Sequence, residues 1–190
     1  MNVSQVVRPI TKTRLSLYEH AGGVETKPGN HVVYDLLTNH AHFGAADVPS
    51  HALVWEVGDE GLDAKTSVLA SIPANTQWLL RCDRVDFPPG GVAHRHIHPG
   101  PGIRRLLFGE LRIESPEGVG IYGEGDAWFE GRDQPVLATA SKSEDTAFVR
   151  VLLLPAEWAG KRTIRYLDPA DEEKPKLQRA QVLLEVPVEL

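Results

Sequence analysis

Apolar and polar residues alternate in short runs along most of this chain, and Gly, Pro, Asp and Ser interrupt the runs every few residues. Neighbouring side chains on a β-strand point to opposite faces, so a period of two bounded by turn residues predicts strands. The pattern places strands at 31–37, 52–57, 78–87, 92–98, 103–108, 110–114, 120–122, 127–129, 136–140 and 147–154. A last run alternates Val182, Leu184, Val186 and Val188, with Pro187 keeping it near a sheet edge. The turns carry their own chemistry: SPEG at 115–118 reads as a hairpin connection and PGPG at 99–102 as a tight corner poor in Cβ atoms. Helical periodicity is scarce; AEWAGKRTI, after Pro155, predicts one short helical turn, and YLDPADEEKPKLQ a charged linker broken by proline. The chain is therefore expected to be all-β, an antiparallel sandwich or barrel.

At 190 residues and 42% hydrophobic content, the chain is long enough to bury a full core, and its length favours one domain with extensions. The pattern divides it into an N-terminal extension, 1–70, whose strands pack on a central barrel, 71–157, followed by a linker and terminal strand, 158–190. The first part carries two predicted strands and is too polar and irregular to stand alone. A final strand with unpaired backbone groups is a liability that pairing covers, either with its own sheet or with a partner's, and this predicts a homodimer.

A formal charge of −6 argues against a general affinity for nucleic acid, which needs clustered Lys and Arg. No apolar run approaches the roughly 20 residues that span a bilayer, and the start MNVSQVVRPITKTR lacks the apolar stretch of a secretory signal, so a cytoplasmic protein without a membrane partner is expected. The single Cys82 excludes a disulfide within the chain and, inside WLLRCDRVDF, reads as a small buried thiol.

The chemistry concentrates in PPGGVAHRHIHPGPGIRRLLFGEL, residues 88–111, where His94, His96 and His98 fall at every second position. On a regular strand the three imidazoles share one face, and neighbours of the series sit about 6.6 Å apart, close enough to converge on one ion. Imidazole is the commonest protein ligand for Zn, Cu, Fe and Ni. His94 and His98, about 13 Å apart along the strand, chelate together less readily, so His96 and His98 form the strong pair. Arg104 and Arg105 occupy opposite faces of the next strand, so one points inward, where a guanidinium favours a carboxylate or phosphate, and at least one is expected to lie exposed on the outer face.

These residues resemble the cupin superfamily. Its first motif is a Gly, five residues, His-x-His, three or four residues, Glu, six residues, Gly; here Gly90, His96-Ile97-His98, Gly102 and Gly109 reproduce the spacing, with Gly102 in the glutamate slot. The second motif maps weakly from Gly125-Asp126 through Phe129, and its histidine slot falls at Val136. The resemblance covers about residues 78–155 and implies a double-stranded β-helix, the cupin jelly-roll barrel. It also implies a divalent transition metal (Fe, Mn, Ni or Zn) held by His96 and His98, with His94 as third ligand, or with Glu130, Asp133 or Gln134 completing the shell. Leu107, Phe108, Trp128 and Phe129 are core candidates, of which one or two would line a ligand cavity.

Two functional readings follow. One is a metal-dependent enzyme acting on a small organic molecule, in the manner of a dioxygenase, an isomerase or a hydrolase. The other is a non-catalytic small-molecule-binding module that has lost the full metal shell. Fold does not choose between them.

Overall fold

A computed structural model describes residues 9–190, so residues 1–8 of the expected N-terminal extension, and most of the start on which the signal reading rested, lie outside it. Regular structure among the described residues is almost entirely strand. The first part holds β1 (Ile10–His20), β2 (Val24–Thr26), β3 (His31–Asp35), β4 (His40–Phe43), β5 (Ala46–Val48), β6 (Ala52–Val57) and β7 (Thr66–Pro73). The centre holds β8 (Trp78–Phe87), β9 (Val92–Ile97), β10 (Gly102–Phe108), β11 (Leu111–Ser115), β12 (Gly118–Tyr122), β13 (Ala127–Glu130), β14 (Val136–Ala140) and β15 (Thr146–Pro155). A 3-10 turn at Ala156–Trp158, β16 (Arg165–Tyr166), a second 3-10 turn at Pro169–Glu172 and β17 (Arg179–Val188) complete the chain.

The central strands alternate between two antiparallel sheets. One has the order β13-β10-β15-β8-β17 and the other β12-β11-β14-β9-β16. Successive strands thus cross from sheet to sheet, apart from the β11–β12 hairpin, and this interleaving of two four-stranded sheets is the jelly roll. β16 and β17 extend the β9 and β8 edges. The terminal strand pairs with β8 of its own chain over Arg179–Val188, with a register slip between Val182 and Leu184.

The centre of the first sheet is buried on both faces, which explains why β15 is mostly apolar and has all ten residues buried, Thr146 and Arg150 included. On β8, Trp78, Leu80 and Cys82 pack outward against Leu17 and Trp55 of the N-terminal layer, while Val85 and Phe87 pack inward with Leu106, Trp128 and Phe148. Burial pushes the Cys82 thiol well above its ordinary pKa, consistent with a small packing residue.

The N-terminal layer is more regular than its sequence suggests. Two strands were expected there; seven form, five of them in one antiparallel sheet of order β4-β3-β6-β1-β7. β1 escaped the periodicity because its first half, Ile10–Thr13, is mostly polar and solvent-facing, and only Leu15 and Leu17 reach the core. This sheet is fastened to the barrel by the Trp55 indole N–H, which donates to the Ile103 carbonyl at 3.1 Å, and by the Arg105 guanidinium, which donates to Glu19 at 2.6 Å. No helix among the described residues is long and apolar enough to cross a membrane.

Candidate functional site: a pocket inside the barrel

Between the two sheets lies a cavity of about 640 Å³. Its floor is apolar, built from Val85, Phe87, Ile113, Trp128, Ala138 and Phe148, with the Trp128 and Phe148 rings edge to face at 5.4 Å. Its mouth is formed by the chain after β15, including Thr163, Tyr166, Lys176 and Gln178. Between floor and mouth runs a belt of Arg81, Asp83, His96, His98, Glu130 and Arg150.

His96 and His98 are both buried in this belt, their rings T-shaped at 4.9 Å. His94 is not with them. On the β9–β14 ladder His96 pairs with Val136 but Ala93 with Ala138, so three steps on β9 span two on β14. This bulge at His94 and Arg95 breaks the alternation on which a shared face depended. The expectation that all three imidazoles face the interior is therefore corrected: His94 is partly exposed beside Asp171, its Nδ1 3.9 Å from the carboxylate. Its backbone carbonyl serves the site instead, accepting from Nδ1 of His96 at 2.7 Å.

That contact fixes the His96 tautomer. A carbonyl only accepts, so Nδ1 carries the proton and Nε2 keeps its lone pair. For His98 the assignment is reversed, because a guanidinium has no lone pair to offer. Nη1 of Arg150 donates to Nε2 of His98 at 3.1 Å, so the proton sits on Nδ1, which is buried and makes no hydrogen bond among the described residues. Both rings are held neutral. Burial lowers the His96 pKa to about 4, with Arg150 and Arg104 adding to the effect and Glu130 and the His94 carbonyl opposing it. Burial, then Arg150, His96 and Arg104, hold His98 well below the ordinary value.

The slots that the cupin resemblance reserves for further ligands are in place but carry no donors. Gly102 opens β10, and a Cβ there would run into the Val151 carbonyl, so this backbone admits no side chain in the glutamate slot. Val136 is buried directly across from His96. Glu130, cross-strand from Gly102, is engaged at both oxygens, by the Trp128 indole N–H at 2.9 Å and by Arg104 at 2.7 Å. Asp133 pairs with Arg165 on the surface, and Gln134 accepts from the Gly131 N–H at 2.6 Å and donates to Glu117. Among the described residues no group of three or more His, Cys, Asp and Glu side chains is arranged to hold a metal ion. With one imidazole lone pair taken by a guanidinium, the remaining donor set does not fit a resident cation.

Both arginines of β10 are buried, which corrects the expectation that one lies exposed. Arg104 pairs with Glu130, and Arg105 reaches the N-terminal layer, because that layer covers what would otherwise be an outer face. Burial lowers the Arg104 pKa to about 10 even with Glu130 raising it. Three residues of the belt escaped the sequence reading: Arg81, Asp83 and Arg150. Their signal was present, since each is a charge inside a long apolar strand, and Arg81 and Asp83 stand two apart on one face.

Strand order and pocket together define a double-stranded jelly-roll barrel with an N-terminal β-layer. No protein-family model and no curated protein sequence matches the chain. Similar solved structures include the polyketide cyclase RemF from Streptomyces resistomycificus, at 18% identity and a TM-score of 0.39, covering 55% of this chain and 73% of that one. An RmlC-like cupin from Shewanella frigidimarina is similar at 15% identity and a TM-score of 0.37, covering 41% and 68%. A cupin 2 conserved barrel domain protein from Leptotrichia buccalis is similar at 13% identity and a TM-score of 0.40, covering 77% and 78%.

Proposed function

We propose that this chain is a small-molecule-binding jelly-roll protein whose pocket works without a resident metal ion. The observation that carries this reading is the Arg150 guanidinium on Nε2 of His98, which occupies one lone pair of the strong histidine pair. The bulged-out His94, the side-chain-free Gly102 slot and Val136 opposite His96 support it. The alternative, a metal-dependent enzyme, would need at least one more donor than the pocket offers. What remains is a concave, mostly apolar cavity with a few fixed polar groups, the usual make-up of an organic-ligand site.

Elemental analysis of protein purified without an affinity tag tests the reading. Metal is expected far below one equivalent per chain, and unchanged in the His96→Ala/His98→Ala variant. One equivalent per chain, lost in that variant, would return the protein to the enzyme reading.

A further inference from the structure

All the pocket's charges except the Lys161 ammonium at the rim are paired before any ligand arrives. Arg150 donates to Asp83 from Nε and Nη2 at 3.1 and 2.9 Å, Arg104 pairs with Glu130, and Arg81 pairs with Glu185 while donating to the Lys161 and Trp158 carbonyls. At the mouth Arg162 pairs with Glu172, and the Lys176 ammonium donates to the carbonyls of Asp171, Glu172 and Lys174. Lys161 is exposed at the rim. The belt therefore has no unmatched guanidinium for an anion, against the expectation that an inward arginine would recruit a carboxylate or phosphate.

Of the pocket's side-chain atoms left over, three are acceptors and one, the protonated Nδ1 of His98, is a donor. Both hydrogen bonds from Arg150 fall on Oδ2 of Asp83, which leaves Oδ1 buried without a partner among the described residues. Oε1 of Gln178 is likewise buried and unpartnered. Nε2 of His96 bears a lone pair and makes no hydrogen bond to the described residues, since Nδ1 is the protonated nitrogen. All three are acceptors, and for the two buried oxygens the lack of a donor costs about 1–3 kcal/mol each. A carboxylate or phosphate would bring more acceptors to a surface where acceptors outnumber the one free donor, Nδ1 of His98.

Resting on the metal-free reading above, we infer that the pocket selects a neutral molecule with a flat apolar body and a hydroxyl or N–H head, and rejects carboxylates and phosphates of the same shape. The body stacks on the Trp128 and Phe148 floor, and the head donates to the acceptor set around His96.

Titration calorimetry with 2-naphthol, 2-naphthoate and naphthalene separates the contributions, because the three share a body and differ in the head. 2-Naphthol is expected to bind at least tenfold tighter than either of the others. In His96→Leu its advantage over naphthalene should shrink severalfold while naphthalene still binds, which reports an intact floor. Gln178→Met, at the mouth, gives a second reading should His96→Leu fail to fold. The inference is overturned if 2-naphthoate binds as tightly as 2-naphthol, if none of the three binds, or if the advantage is unchanged in the folded variants. Metal content of the same preparation reads the underlying proposal separately: stoichiometric metal sinks that proposal whatever the naphthol result.

Discussion

Arg150 stands between Asp83 and His98, donating to the carboxylate from two nitrogens and to the imidazole from a third. Removing it leaves a buried carboxylate without its cation. Arg150→Met is expected to cost about 3–5 kcal/mol, the usual penalty for breaking a buried pair from one side. Asp83→Val/Arg150→Met should recover most of that loss, because an apolar pair of similar volume replaces both charges. Urea unfolding of the two variants checks it; a double variant no more stable than the single one would contradict the account.

Gly102→Ala tests the close approach of β10 to β15. A Cβ at Gly102 meets the Val151 carbonyl, so the two strands must separate, at a cost of about 2–4 kcal/mol. Gly102→Glu, which restores the motif's missing carboxylate by name, should be destabilised at least as much and still bind no stoichiometric metal. Thermal denaturation and metal analysis of both variants provide the measurement.

Stability should fall on mild acidification. His96 has a folded-state pKa of about 4 against about 6.5 for a free imidazole, so between those values the unfolded chain binds the extra proton and folding weakens as pH drops. The full window corresponds to about 3 kcal/mol for this ring, and His98 adds in the same direction. A different group governs lower pH. Burial raises the Asp35 pKa, but donation from Ser50, Thr38 and the Leu37 and Thr38 N–H groups outweighs it and lowers the value to about 2. Its contribution is present above the ordinary carboxyl range and lost as pH falls from about 4 towards 2. His96→Leu should flatten the melting-temperature profile between pH 6.5 and 4 only, and Asp35→Asn the profile below it.

The terminal strand shields β8. Deleting 179–190 strips the β8 backbone of its outer partner and removes Leu184 and Val188 from the core they share with Trp78 and Leu80. A loss on the order of 10 °C in melting temperature is expected for a chain of this size. An unchanged melting curve would show that β17 is ornamental to the sheet.

The barrel was legible in the sequence because its strands are amphipathic or wholly apolar over short, turn-bounded runs; 52–57, 78–87 and 136–140 match the observed strands residue for residue. The N-terminal layer was not, since β1 is polar through its first half and β2 and β5 are three residues long, too short for a period to register. In the pocket, His96 and His98 were found by spacing, whereas the displacement of His94 was invisible: one extra residue in a ladder is a property of the pairing, not of either strand's own pattern. Arg81, Asp83 and Arg150 were passed over because a charge in an apolar run was read as part of the strand. The Asp83–Arg150 contact joins β8 to β15 across a long stretch of chain.

That separation has a bearing on how the molecule assembles. Trp78 sits beside Pro155 on one side and Val188 on the other, so β8 emerges from the ribosome early and finds neither neighbour until nearly the whole chain has followed. Folding governed by such distant pairings is slow, in the millisecond-to-second range for β-rich domains.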